Sequence, residues 1–600
     1  MKTPLAAVVL FAASVLPLFS AEVPPPRPKA GKPEIMHESE VKPGMKGWAW
    51  TVLQGTEPEP IPVEVIGISK HMWGPKQDII LAKMLGKALR TNVAKGMSGS
   101  PVYINGKLVG AVSLGLSQFS PDSICGITPI DLMLEINEND PTRPADAKVP
   151  GAGQRASTNP FDGLVPIDSP IVMSGLAPGV LNDFTPVFEQ MGIRAVQGTG
   201  GGTSTISAKP VDGWQQSLNP GDSIATVLVG GDMGISAFGT VTYNDGKKVL
   251  AFGHPLFNLG PVTMPIAKSE VVLTLASQFQ PSKIANAGGI VGALRQDRHS
   301  GIMGELGETS PMIPVTLKVR SLDAKDAVKT EKDFHFSVFV HQKWTPTLMM
   351  LTLYNSISNL NELVDEATYR LKGQVEMSGV TRNISLATMQ ATGDVPMPAP
   401  MALALWLGDK FNKLYLNNVN MPDVKRVAMT LDLVPERRVA AIESAWVPNS
   451  EVQPGQEVPV KVALRPYRGE PIIREIKVKI PEGIARGDHR ILLSDAETLN
   501  RMQNAAGFGN RFIDLPQTVS LLNQERTNNR LYVALVQSSP TAYYDDKTMP
   551  SLPASVLNVM QAGRASNRNL LTTPETAVEQ TSLAFDYLVT GSYSLRIHVK

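Results

Sequence analysis

The sequence predicts a mainly β protein, and three observations predict it. Runs rich in Val, Ile and Thr recur at a spacing of about ten residues, as short antiparallel strands do. Glycine (50) and proline (48) are plentiful and supply turns, while aromatic residues are few at 6%. A chain of 600 residues is also too long for one hydrophobic core, so roughly three to five domains are expected.

The N-terminus reads as a targeting segment. Met1-Lys2 is a short basic start, Pro4 to Phe19 is apolar and uncharged, and Phe19-Ser20-Ala21 offers small residues for cleavage. This predicts a secretory signal peptide over 1–21, with an uncleaved anchor as the alternative. No other stretch approaches the ~18 apolar residues of a membrane span. The expected locale is therefore exported: periplasm, cell envelope or secreted. A Pro- and Lys-rich leader follows over 22–40.

From residue 41 the strand pattern begins. Gly47 to Leu53, Ile61 to Gly67 and Asp78 to Ala82 read as strands of a small barrel over 41–138. Val102 to Ile104 and Leu108 to Leu114 form a hairpin whose Asn105-Gly106 turn suits a primed geometry. Ile127 to Leu134 reads as a short closing helix. Residues 139–210 read as linker and inter-barrel segment, with one short helix over Pro186 to Met191 capped by Thr185. The Gly198 to Gly202 run lacks the Lys-Ser/Thr of a phosphate loop and reads as a loop.

A second β block is expected over 211–320. Ile224 to Val229 is a strand, and Gly239 to Tyr243, Asn244-Asp245-Gly246 and Val249 to Phe252 make a hairpin that delivers Gly253-His254-Pro255. Residues 321–435 read as mixed α/β, with helices over 344–365 and 399–417. Residues 436–600 read as an immunoglobulin-like β sandwich, in which Val452 to Val462 and Ile476 to Pro481 alternate as paired strands and 540–580 is loop.

Composition excludes some functions. With 56 Lys+Arg against 55 Asp+Glu the net charge is +1, and no basic block is present to meet nucleic acid or an anionic membrane. The single cysteine, Cys125, rules out an intrachain disulfide. It reads as a small buried apolar residue rather than a nucleophile. No His-Glu-x-x-His or paired His/Cys spacing suggests a metal, and no cofactor is expected.

The stretch Gly96-Met97-Ser98-Gly99-Ser100-Pro101 carries the chemistry. A serine held between glycines on a tight turn, before a strand, is presented rigidly as a nucleophile, with backbone N–H groups available to an oxyanion. Among eight histidines, His254 stands out at a constrained strand end. His71, near Trp73, and His299 are the other candidates. For a third triad member Asp78 ranks first, with Asp222 and Asp245 as alternatives and a Ser–His dyad without Asp also open.

Two motifs together resemble the SpoIVB peptidase family of S55 serine endopeptidases. Gly96 to Pro101, Gly106-Lys107 and Gly110-Ala111-Val112 match its serine motif. Gly239-Thr240-Val241-Thr242 and Ala251-Phe252-Gly253-His254 match its histidine motif. The resemblance spans about 41–320. It implies a chymotrypsin-like two-barrel core, with Ser98 as nucleophile, His254 as general base and the Gly96 and Ser98 N–H groups as oxyanion donors. The order of the halves is permuted, since the serine half precedes the histidine half here. No clear PDZ domain is found. The expected partner is a protein or peptide substrate, with a further protein partner for the C-terminal module. The alternative is a non-catalytic exported scaffold that keeps the peptidase fold.

Overall fold

The computed structural model describes residues 24–600 except 117–121, 151–163, 168–170, 192, 194, 199–208, 278–280, 361–364, 394–396, 417–420, 508–513, 538–540, 545–546, 550–551, 563–569 and 574. The expected signal peptide and most of the Gly198 to Gly202 run lie outside the described residues. Strands account for 49% and helices for 17%, so the protein is mainly β as its sequence predicts.

The serine half is a closed barrel of six strands: β1 (Lys46–Thr51), β2 (Glu59–Gly74), β3 (Gln77–Met84), β4 (Pro101–Ile104), β5 (Lys107–Leu116) and β6 (Ile124–Pro129). They run in the order β4-β1-β2-β3-β6-β5, and β5 pairs back to β4. Closure removes exposed strand edges. The Asn105-Gly106 turn has φ of 52° and 79°, the left-handed pair a primed hairpin requires. The barrel core includes Ile61, Val63, Ile80, Met97, Val112 and Ile127. Ile127 was expected to open a helix. It lies instead on β6, paired with Ile80 and Val112, and the helix begins only at Ile130. Burial on both sides of the ladder outweighs the local helical pattern.

The histidine half also closes into a ring of six strands: β7 (Ser223–Gly231), β8 (Gly234–Asn244), β9 (Lys248–Ala251), β10 (Gly260–Leu275), β11 (Ser282–Arg298) and β12 (Gly301–Leu306). Its order is β7-β10-β11-β12-β9-β8, with β8 pairing back to β7. This ring does not stop near residue 320. Val328–Phe339 pairs with both β7 and Met312–Leu322, and the latter pairs in parallel with Val424–Val434. The expected α/β segment 321–435 therefore continues the histidine sheet. Its helices, α1 (Trp344–Ser358) and α2 (Ala399–Tyr415), bury Trp344, Leu348, Leu407 and Phe411 in the same core.

The expected linker is partly built into this unit. Ile171–Ser174 pairs with β8, and the helix there spans Pro178–Glu189, with Pro186 inside it rather than at its start. Pro178 occupies the first turn, where a missing N–H does no harm. Phe184 and Phe188 are buried in the main core. In the C-terminal region two sheets enclose one core containing Ala440, Val460, Leu464, Ile491, Val533 and Ile597. It is a β sandwich. The stretch 540–580, expected as loop, instead carries Thr541–Tyr544, Lys547–Met549, the helix Ala554–Ala562 and Leu570–Thr573.

Candidate functional site

Ser98 sits on a turn locked at both ends. Met97 N–H donates to the Ala94 carbonyl at 2.9 Å, and Ser100 N–H to the Met97 carbonyl at 3.0 Å. Gly99 N–H donates to Val112 O at 2.8 Å, tying the turn to β5. Gly96 and Gly99 have φ of 90° and 93°, a region that L side chains enter only with strain. Met97 anchors the turn in the barrel core.

The carbonyls of this turn face the other barrel. Thr240 Oγ1 donates to Gly96 O at 3.0 Å, and Thr242 Oγ1 donates to Gly99 O at 2.7 Å. Thr240 N–H donates to Ser98 O at 2.8 Å. Thus the Gly-Thr-Val-Thr strand of the histidine motif is the receptor for the serine motif. The fit is tight: a Cβ on Gly99 would lie 1.9 Å from Thr240 O and 2.5 Å from Phe252 N.

The histidine corner is clasped reciprocally. Phe252 and Gly253 have φ of 69° and 67°, and a phenylalanine in that region stores strain of a kind common at functional sites. Thr128 Oγ1 on β6 donates to Gly253 O at 2.7 Å. A Cβ on Gly253 would meet Ala111 Cβ at 2.9 Å. Both motifs therefore lie in one buried junction between the two rings. Ser98 is 0% exposed and His254 2%.

His254 Nδ1 lies 2.8 Å from the Pro255 carbonyl. A carbonyl only accepts, so Nδ1 carries the proton and Nε2 keeps the lone pair, the tautomer a general base needs. The orienting group is thus a backbone oxygen. None of the three candidate carboxylates takes this role. Asp78 accepts His71 N–H at 2.7 Å, which closes the β2–β3 hairpin and lowers its pKa. Asp222 is buried against Arg27 and Asn219 N–H, at 2.6 and 3.1 Å; burial raises its pKa while Lys268 and Arg27 oppose. Asp245 caps its own turn through Lys247 and Lys248 N–H, at 3.1 and 2.8 Å. The other histidine candidates stand elsewhere: His71 has φ 57° on the β2–β3 hairpin, and the His299 ring packs on Trp73.

Ser98 Oγ is buried and has no hydrogen-bond partner among the described residues. The Ser98–His254 hydrogen bond of an assembled dyad is therefore not formed in this structure. The N–H groups of Gly96 and Ser98 donate to no backbone carbonyl among the described residues. A buried hydroxyl without a partner typically costs about 1–3 kcal/mol, and native proteins keep few of them.

Two charged residues that the motifs do not reveal shape the junction. Asp297 is fully buried and accepts N–H from Leu256, Phe257 and Leu259 at 2.8, 2.8 and 3.1 Å, holding the loop after His254. Lys283 is 1% exposed. Its stem would be 3.2 Å from a Cβ on Gly96, its Nζ donates to Thr51 Oγ1 at 2.7 Å, and burial lowers its pKa to about 7. Cys125 lies in the barrel core with its thiol pushed up to about 12 by burial, consistent with an inert apolar residue. Among the described residues no three His, Cys, Asp or Glu side chains converge as a metal site requires, and no helix is long and apolar enough to cross a membrane. No family model, curated protein or solved structure matches the chain.

Proposed function

We propose that the chain is an exported serine endopeptidase of the SpoIVB type, acting on protein substrates or on itself, with a permuted chymotrypsin-like pair of barrels. Ser98 Oγ attacks the scissile carbonyl, His254 Nε2 takes its proton and returns it to the leaving amine, and the Gly96 and Ser98 N–H groups hold the oxyanion. The Pro255 carbonyl replaces the carboxylate that orients the base. The observation that carries this reading is the Ser98 hydroxyl, which stands buried and unpartnered on a turn seated against the strand that leads to His254. Thr226 Oγ1 and Ser494 Oγ are also buried without a partner among the described residues, so it is the seat of Ser98 on that turn, against the strand leading to His254, that sets it apart. Because Ser98 and His254 are both buried, this reading requires the junction to part before a polypeptide is admitted.

The scaffold reading has its own support: the carbonyls of Gly96, Ser98 and Gly99 all serve the clasp between the rings. Labelling with a fluorophosphonate probe decides between them. The peptidase reading expects labelling of the wild-type chain, faint at rest and stronger in mild denaturant, abolished by Ser98→Ala and by His254→Ala. A wild-type chain that stays unlabelled through its whole pre-transition range is a scaffold.

A further inference from the structure

The segment that precedes β1 crosses from one ring to the other. Arg27 donates to the Asp222 carboxylate of the histidine half at 2.6 Å and also bonds Glu57 of the serine half. Ala30 N–H donates to Asn219 Oδ1 at 3.0 Å, and Gly31 N–H to Asn244 O at 2.8 Å. Further along, the segment reaches the serine barrel. Leu108 N–H donates to Glu34 O at 2.8 Å, and Met36 N–H to Leu108 O at 3.0 Å.

These anchors fall on the two strands that grip the serine turn. Asn244 ends β8, which carries Thr240 and Thr242, and Val241 of the same strand donates its N–H to Asp222 O at 2.9 Å. Leu108 lies at the start of β5, whose Val112 carbonyl receives Gly99 N–H. Asp222 is 0% exposed, and a buried carboxylate needs a close cation. Arg27 is the nearer one, since Lys268 stands at 3.5 Å. Ile35 packs against the apolar seam in which Leu108, Ile130 and Met133 of the serine half meet Tyr243, Leu250 and Met303 of the histidine half.

The two ends of the segment are held differently. Met36 is buried in the barrel core, so the serine end is fixed by packing. The histidine end is held by one half-buried side chain and two backbone N–H groups. Between the ends, Lys29 to Lys32 are exposed and outside any helix or strand. The Arg27 end can therefore lift without unmaking a core, as segments with few buried apolar contacts do. What its departure removes is a tie between β8 and β5.

We propose that residues 27–36 form a strap that holds the two rings shut over Ser98, an autoinhibitory contact released when the Arg27 end leaves Asp222. With the strap seated, β8 and β5 stay together and Ser98 stays buried. With its end lifted, the rings part along the bond from Thr240 N–H to Ser98 O, and the hydroxyl meets solvent. Calling the closed form autoinhibited rests on the peptidase reading; the strap itself is measured without catalysis.

The test is amide hydrogen exchange on the full chain, read at single residues. Thr240 N–H bonds Ser98 O across the junction, so its exchange reports parting. Leu294 and Gly304 pair within the histidine ring and report that ring's own stability. Two forms are compared with their parents: Arg27→Ala, and a chain cut at a protease site inserted between Gly31 and Lys32. Each should speed Thr240 exchange roughly tenfold and leave Leu294 and Gly304 unchanged. A synthetic peptide of residues 24–33 should restore slow exchange to the cut chain, and the same peptide with Arg27→Ala should not. Thr240 exchange indifferent to both changes, an equal rise at Gly304, or restoration by neither peptide or by both alike would overturn the strap. Faster Thr240 exchange in a cut chain that fluorophosphonate never labels sinks the peptidase reading alone. Labelling of a chain whose Thr240 exchange ignores the strap sinks the strap alone.

Discussion

The two rings meet in two ways, and the contrast is instructive. At the serine junction the contact is buried and made largely of backbone: Thr240 and Thr242 hold three carbonyls of the turn, and glycines stand where a Cβ would collide. At the Trp73–His299 cleft the contact is open, made of side chains, and charged. The first arrangement fixes position, because every atom is over-determined. The second leaves its side chains bordering open solvent. The two contacts share the loop from His254 to Asn258, which Asp297 holds through three backbone N–H groups.

The largest effect should come from breaking the clasp. Gly99→Ala places a Cβ 1.9 Å from Thr240 O at a φ of 93°, so backbone must move on both rings. A loss of more than ~4 kcal/mol is expected by urea denaturation. Gly106→Ala is the control. It shares a positive φ of 79° but meets nothing within 4 Å, so only the left-handed strain of about 1 kcal/mol applies. Equal losses for the two variants would mean that the junction is loose, and the contrast with the cleft would disappear.

The junction was legible in the sequence because its parts are contiguous. Ser98 and its glycines form one motif, and Thr240, Thr242, Gly253 and His254 lie on one hairpin. The group that orients His254 was not legible, because the carbonyl of Pro255 is a backbone atom and every residue has one; the search for a carboxylate led to Asp78, which serves a hairpin. Lys283 was hidden for another reason: a lysine in a strand pattern is read as solvent-facing, since its burial costs so much. The cleft collects Trp73, Asp146, Asn258 and His299 from segments far apart in the chain, and no local spacing encodes that meeting. The extended histidine sheet was missed similarly, because Met312–Leu322 finds its parallel partner in Val424–Val434, far along the chain.

Lys283 gives the next largest effect. Its amine has an ordinary value of 10.5 and is brought down to about 7 by burial. Between about pH 7 and 10 the unfolded chain holds a proton there that the folded chain does not, so stability rises with pH across that window. At and below pH 7 the folded chain bears the full penalty of a buried charge, on the order of a few kcal/mol. Lys283→Met removes the penalty and forfeits only the bond to Thr51 Oγ1, worth about 1 kcal/mol. The variant should therefore be more stable than wild type at pH 6.5, with the gain shrinking steadily toward pH 9.5 in urea titrations. A difference that does not change with pH would place the amine in contact with water and make the junction as wet as the cleft.

The smallest effect is the most telling about the serine. Ser98 and Ser100 are both 0% exposed and differ in what their hydroxyls do. Ser100 Oγ donates to Met97 O at 2.5 Å, whereas Ser98 Oγ has no partner among the described residues. Removing a satisfied hydroxyl loses its bond, so Ser100→Ala should destabilise by about 1 kcal/mol. Removing an unsatisfied one relieves a desolvated dipole, so Ser98→Ala should leave stability unchanged or raise it by up to ~1 kcal/mol. Opposite signs at two positions of one turn cannot arise from packing, because both changes delete the same oxygen from equally buried sites. They would show that Ser98 is held against the interest of stability, as the peptidase reading expects of a reactive group. Equal losses in paired urea titrations would show that Ser98 has a structural partner after all, and the case for it as a nucleophile would lose its main support.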